Sequence, residues 1–438
     1  MFFMITLPIT GQNLINFSVN MADTIMVGQL GEIQLSAVQQ ANQVAFLMFF
    51  AIFGLTSGAN VMIAQYWGKG DTQSIHKVMS VTYRILAIII IIFTMLAVGF
   101  PVQVMRLLGV GEIVAEGAAY LRIAGIGYLF MGFAASSLIM LRAVATVKIA
   151  LVVASTTLFV NVGGNWILIF GNLGAPALGV QGAAIATTFA RFIEFIIVAV
   201  YVLKVEKKLQ YRLRYLLARK LNFLKEFLKT ATPVFLNEVL WGLGAVMLSV
   251  IIGHMGTEFT AANSVAGVLN NLVSVAIFGA ISASAVITGN TVGSGRYDLA
   301  RARSKKLLII STLMGLVAMV VVLIFRYPVI LLFGNISLTA QAYAFQILGA
   351  VSIIVIFQAL SGIAIVGVLR GGGDGKFAAV ADVTTMWLVA LPLGFLAGHV
   401  WGLPVPVVYM ILKMDELLKA IVCLPRMFSG KWVNDVTV

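Results

Sequence analysis

Seven ionisable residues fall inside stretches of this sequence that are otherwise almost wholly apolar: Asp23, Glu238, Asp382, Lys413, Asp415, Glu416 and Lys419. By insertion scales an ionisable group in hydrocarbon costs at least ~2.5 kcal/mol, so those that remain face a cavity or a partner. Arg84, Arg122 and the pair Arg191 with Glu194 form a second tier.

Depth follows from the distance to each helix end at ~1.5 Å per residue. Asp23 lies five residues before Gly28 and Asn165 six before Gly171, which places both in the outer half of a bilayer. Asn161 is one turn from Asn165 on the same helix face, and Thr187, counted inward from Gly179, reaches a comparable level. One carboxylate, two amide oxygens and a hydroxyl make a hard-oxygen set suited to Na⁺, or a protonatable aspartate. The competing reading is that Asn and Thr only bond between helices, as they often do in bundles. With one cysteine, Cys423, and three scattered histidines, disulfide frameworks and Cys/His metal centres are excluded, leaving Na⁺ as the metal this set suits.

Glu238 follows Pro233 by five residues, in the inner half and ~15 Å below Asp23 if both helices are straight. Toward the end of the chain, Lys413 with Glu416 and Asp415 with Lys419 match intrahelical spacing, so internal neutralisation is expected. Asp382 has no sequence neighbour to pair with, and Lys413 is the partner expected for it across helices. Glu238, Asp382, Lys413 and Asp415 are the candidates for substrate binding or coupling.

The elements that position these groups are membrane spans. Apolar residues make up 61% of the 438 positions and charged ones 10%, too little polarity to surround an ordinary core with water. The apolar runs are too long and too little alternating for barrel strands, which leaves helices. Twelve are predicted, near 2–27, 35–66, 78–102, 113–141, 148–170, 179–203, 229–253, 260–291, 306–325, 339–369, 377–398 and 402–424. Basic residues gather in the loops holding Lys69 and Lys77, Arg142 and Lys148, Lys204 to Lys229, Arg296 to Lys306, and Arg370 to Lys376. The loops around Glu32, Asn172, Glu258, Asn335 and Trp401 are nearly free of them, so the positive-inside bias puts both termini in the cytoplasm. A net charge of +13 therefore points to anionic lipid headgroups and not to nucleic acid. Met1 to Met4 lacks a basic n-region, so no cleavable signal peptide is expected.

A repeat runs through the chain. Pro8 and Gly31 recur as Pro233 and Gly256, and Gly68 and Gly70 as Gly293 and Gly295, all at an offset of 225. Leu141-Arg142 with Lys148 recurs as Leu369-Arg370 with Lys376 at 228. Six spans per half is an even number, so the halves enter the membrane the same way, related by an axis along its normal. The expected organisation is a six-helix lobe over 1–203, a linker over 204–228, and a second six-helix lobe over 229–438. The stretch Lys204 to Lys229 holds nine basic residues, with Leu213, Leu216, Leu217, Leu221, Leu224 and Leu228 at helical spacing, which predicts an interfacial amphipathic helix. The offset of 225 sends Asp23 to Leu248 and Glu238 to Asn13, so these two acids do not form a symmetric pair of ion sites.

Over its whole length the chain resembles the multidrug and toxic compound extrusion (MATE) family. Pro8, the stretch Asp23-Thr24-Ile25-Met26-Val27-Gly28 with Leu30-Gly31, Ala64-Gln65 before Gly68, and Leu369-Arg370-Gly371 before Asp374 carry the likeness. The resemblance implies two six-helix lobes around a V-shaped cleft, exchanging Na⁺ or H⁺ for cationic, amphiphilic molecules by alternating access. It also implies that Asp23, Asn161, Asn165 and Thr187 are the first-lobe cation site, and that Glu238 is the acid of the seventh helix. At two places the chain departs from the pattern. Asn165 stands where many members carry an aspartate, which makes proton coupling through an acidic pair less expected. Ala359 falls near a tenth-helix aspartate of some members, so their second-lobe ion site is not expected here.

A flippase for lipid-linked saccharides is the alternative within the same superfamily, but such proteins line their cleft with basic groups, whereas the candidates here are acidic. An enzyme is not expected: the sequence has no His-and-carboxylate metal motif, no nucleophile with a base, and no cofactor loop, and the glycines at 371–373 lack the Lys-Ser/Thr ending of a phosphate loop. The expectation is a monomeric, multi-pass transporter of the plasma membrane, with Na⁺ or H⁺ as coupling ion, no cofactor, and lipids and organic cations as partners.

Overall fold

A computed structural model describes residues 2–109, 111–217, 223–333 and 337–437, and among them it contains helices and turns but no strand. In chain order the α-helices are α1 (Phe2–Gly28), α2 (Glu32–Lys69), α3 (Thr72–Gly99), α4 (Pro101–Leu108), α5 (Glu112–Ala143), α6 (Lys148–Phe170), α7 (Gly179–Val200) and α8 (Leu213–Leu217). They continue with α9 (Leu224–Gly253), α10 (Thr257–Gly293), α11 (Tyr297–Leu332), α12 (Leu338–Gly362), α13 (Gly375–Thr384), α14 (Leu391–Phe395), α15 (Val405–Leu412) and α16 (Asp415–Phe428). α12 runs on in wider π geometry through Ile363–Arg370, a similar stretch at Thr385–Ala390 joins α13 to α14, and another at Leu396–Val400 continues α14.

Among the described residues ten helical stretches are long and apolar enough to cross a membrane. Their outer faces agree: Ile88, Ile91, Ile92 and Met95 of α3 are all exposed, a patch that hydrocarbon and not water must cover. The chain is a multi-pass membrane protein. Two of the twelve predicted segments fall outside the ten. α1 is long but interrupted by Gln12, Asn13, Asn16, Ser18, Asn20 and Asp23. The last segment breaks at Lys413 and Met414 into α15 and α16, neither long enough alone.

The predicted linker differs at both ends. Helix α7 extends to Val205, and α9 begins at Leu224 with Glu226 in its first turn, where a carboxylate favours the helix dipole. Among the described residues of the predicted amphipathic helix, Leu213–Leu217 form the separate helix α8, and Leu221 lies outside the described residues. The segment docks on α3: Tyr211 is buried with its hydroxyl 2.9 Å from Ser80 Oγ, His76 bonds the Leu209 carbonyl, and Arg84 Nε donates to the Leu216 carbonyl at 2.9 Å. Glu206 caps the turn by accepting from the backbone N–H of Lys208 at 2.9 Å and Leu209 at 2.6 Å.

Contacts divide the chain into two units, one of Gly11–Ile63 and Asp71–Ala231, the other of Met1–Thr10, Ala64–Gly70 and Thr232–Val438. The repeat seen in sequence is visible in backbone geometry. Gly31 and Gly256 have φ of 134° and 121°, and Gly70 and Gly295 have φ of 80° and 74°, so each pair turns the chain where a side chain would be strained.

Within the second of these units, Gly68 and Gly293 let two backbones cross. A Cβ on Gly293 would lie 1.9 Å from the Gln65 carbonyl oxygen, and one on Gly68 would lie 2.1 Å from that of Asn290. Backbone cannot yield as a side chain can, so Gly293→Ala is expected to lower stability by roughly 3 kcal/mol or more. Gly267→Ala, on the same helix with no atom within 4 Å, should be neutral or stabilising by up to ~1 kcal/mol. Thermal melts of the two purified variants make the comparison; equal melting points would refute the crossing.

The same unit ends in a strap. Trp432 is fully buried with its indole N–H donating to the Met427 carbonyl at 2.8 Å, and the Asn434 N–H donates to the Gly372 carbonyl at 2.8 Å. The buried side chain of Gln65 holds the strap at both ends of its amide: Nε2 donates to the Asn434 carbonyl at 3.1 Å and Oε1 accepts from the Val436 N–H at 2.8 Å.

Candidate cation site

Helices α1, α2, α5, α6 and α7 bring the first group of predicted residues together within one unit. The Asn165 amide donates to an Asp23 carboxylate oxygen, and one turn along α6 the Asn161 amide donates to Thr187 Oγ on α7 at 3.2 Å. Both asparagines are buried, at 0% exposure for Asn165 and 2% for Asn161, and the Oδ1 of each has no hydrogen-bond partner. A buried carbonyl oxygen without a donor is costly in hydrocarbon. With both amide nitrogens spent on holding the helices together, two bare oxygens remain beside a carboxylate.

Two residues that sequence reasoning missed complete the surroundings. The Tyr120 hydroxyl on α5 donates to Asn42 Oδ1 on α2 at 3.3 Å and lies within electrostatic range of Asp23 and hydrogen-bonding range of Thr187. Neither stands out in sequence, because single Tyr and Asn residues on apolar helices carry no pattern. Arg191, one turn from Thr187, pairs with Glu194, with Nη1 2.7 Å from Oε2, and stays within electrostatic range of Asp23. Asp23 is the carboxylate of the group, and among the described residues it makes no salt bridge. Among the described residues no group of three or more His, Cys, Asp or Glu could hold a metal ion. The donors present fit a hard monovalent cation: the Asp23 carboxylate and the orphaned oxygens of Asn161 and Asn165 would hold Na⁺, with Thr187 Oγ beside them.

The other unit gathers the remaining predicted residues into buried ion pairs. Glu238 on α9 does not stand alone, since Arg370 at the end of the α12 rod donates to it, with 3% of the arginine side chain exposed. The repeat mate of Arg370, Arg142, bonds instead to a neutral amide, Gln12 Oε1, at 2.7 Å. Asp382 pairs with Lys419 at 2.7 Å and not with Lys413, and Lys419 also lies 2.7 Å from Asp415 and 3.7 Å from Glu416. The predicted pair Lys413 with Glu416 does not form either, since the break at Lys413 and Met414 destroys the helical register between them. Glu416 accepts from the Ser361 hydroxyl, and the Asn237 amide donates to Asp382 Oδ2 at 3.0 Å.

The described residues thus form a multi-pass helical membrane protein with polar groups buried in each unit, and the halves of its sequence repeat. The MatE family model matches the chain twice, over residues 8–167 and 233–396, beginning at the same offset of 225 that relates Pro8 to Pro233. The chain belongs to the MatE family, whose members are transporters. Among similar proteins, the uncharacterized transporter YisQ of Bacillus subtilis is 26% identical over 99% of this chain and 94% of its own length. The probable multidrug resistance protein NorM of Thermotoga maritima is 25% identical over 98% of this chain and 92% of its own. Of solved structures, that of the Vibrio cholerae MATE transporter VcmN superposes with a TM-score of 0.88, covering 99% of this chain and 97% of that one at 17% identity, which shows a common fold.

Proposed function

We propose that the protein is a secondary active exporter that exchanges Na⁺ for cationic, amphiphilic small molecules by alternating access. The observation that carries this reading is the pair of buried, donor-less amide oxygens of Asn161 and Asn165 next to Asp23. H⁺ in place of Na⁺ would need only the carboxylate and would leave both amide oxygens unused. Relatives named as probable multidrug resistance proteins support export of drugs. In this reading α1 and the broken segment α15 with α16 complete twelve spans, both termini face the cytoplasm, and the monomer works in the plasma membrane. Pro8 leaves an unpaired carbonyl in α1, a place for the helix to bend as the site fills or empties. Pro8→Ala should weaken coupling less than loss of Asp23.

Proteoliposomes loaded with a cationic dye test the function: an imposed Na⁺ gradient should drive dye against its own gradient, whereas a pH gradient alone should not. Drive by pH alone would reassign the ion, and movement of lipid-linked saccharides without dye transport would favour the flippase. Topology has its own test. Lys207 is exposed in the docked segment, and the native Cys423 is fully buried and silent to polar reagents. A cysteine at Lys207 should react only from the cytoplasmic side. Labelling from outside intact cells would invert the topology.

A further inference from the structure

The buried network around Lys419 lies in the unit that lacks Asp23, and it shares two repeat positions and one kind of unpaired group with the candidate cation site. At the offset of 228 that relates Arg370 to Arg142, Lys419 corresponds to Arg191 and Asp415 to Thr187. In the first unit the basic residue of this pair makes its salt bridge with Glu194, and the Asn165 amide of α6 donates to Asp23. In the second, Lys419 turns inward and its ammonium takes the centre, 2.7 Å from both Asp382 and Asp415. Around it stand three carboxylates, with Glu416 the least compensated at 3.7 Å. Asn237, 2% exposed, spends its amide nitrogen on Asp382 while its Oδ1 has no partner, the same orphaned amide oxygen found twice beside Asp23. The nearby pair Glu238 with Arg370 is neutral as a pair and leaves this imbalance unchanged.

We propose that this network is a second monovalent-cation site, kept filled by the chain's own Lys419. An ammonium has the charge of Na⁺ and donates to the oxygens that Na⁺ would accept from, so carboxylates built to hold one can be neutralised by the other. Because the lysine is covalently tethered, the site cannot empty into either aqueous phase. Taken with the reading of Asp23 as the exchanging site, on which this consequence alone rests, ion exchange is confined to one unit and one Na⁺ moves per cycle. The filling itself is independent of that reading.

The test uses the full-length protein with Asp23→Asn as background, so that the first site makes no contribution. Melting is followed in NaCl against choline chloride at constant ionic strength. Asp23→Asn alone should show no Na⁺ response. Asp23→Asn with Lys419→Ala should show a saturable rise, roughly 5 °C at a hundredfold excess over half-saturation. Asp23→Asn with Lys419→Arg should show none. A Na⁺ response while Lys419 is present overturns the proposal, as does a Lys419→Ala variant that is folded and indifferent to Na⁺. If Lys419→Ala does not accumulate, Lys419→Gln keeps the bulk without the charge and should accumulate in Na⁺ but not in choline. Failure of both in either salt means that an ion cannot replace the ammonium, and overturns it too. Should the protein with Asp23 intact show no Na⁺ response, the proposed function fails while the double variant still reads this site.

Discussion

Asp23→Asn is expected to abolish the proposed Na⁺-driven export while leaving dye binding measurable. The expectation rests on the geometry of the first unit, where Asp23 brings the charge and Asn161 and Asn165 bring neutral oxygens. Replacing the carboxylate by an amide keeps the shape but removes the formal charge, at a cost of roughly 3 kcal/mol in ion affinity, or about a hundredfold. An ion drives transport only by binding one arrangement of the protein better than another, so a site that binds neither has nothing to couple. Dye affinity, measured by fluorescence polarisation, should change little if, as proposed, ion and cargo sites are coupled but distinct. Asn165→Ala is a useful companion: it keeps the charge, removes one oxygen and should raise the Na⁺ requirement without abolishing the response. Full Na⁺ drive in Asp23→Asn would remove this site from consideration.

The largest loss of stability is expected from Arg370→Met. Arg370 is 3% exposed and its partner Glu238 is 8% exposed, so the substitution leaves a carboxylate in a buried setting without its counter-charge. Breaking a buried pair from one side costs about 3–5 kcal/mol. Adding Glu238→Leu should recover most of that loss, because an apolar pair needs no desolvation. A double variant no more stable than Arg370→Met alone would mean that the arginine acts through other contacts. The pair also changes what Glu238 can do, since its charge is already spent and cannot by itself attract cationic cargo.

Local features of the site were legible in sequence and long-range ones were not. Asp415 with Lys419 and Arg191 with Glu194 follow from helical spacing, which fixes neighbours before any tertiary fold is known. The meeting of Asp23 with Asn165 was reachable because depth in a bilayer is set by counting from a helix end, so residues at matched depth are few. Arg370 with Glu238 and Lys419 with Asp382 join different helices, and nothing in one sequence fixes how two helices are rotated about their axes. The expectation that Lys413 would meet Asp382 failed for a related reason. A helix break at Lys413 and Met414, which no proline or glycine announces, changes the face on which the lysines lie. The docking of Tyr211 and Leu216 on α3 was likewise hidden, because leucines at helical spacing suit a lipid surface as well as a protein one.

The clamp on the C-terminal strap sets an order of events during synthesis. Gln65 and Asn434 are 369 residues apart, so the amide of Gln65 is made, inserted and left without these partners until that length of chain has followed. At the ~5–20 residues per second of translation, that interval lasts tens of seconds. The crossing of Gly68 with Gly293 can form earlier, once Gly293 has been made, but until Asn434 follows the end of α2 carries a Gln65 amide without these partners. Closure of the strap is then a late checkpoint in biogenesis, and a protease that surveys incomplete membrane proteins would find its opening here.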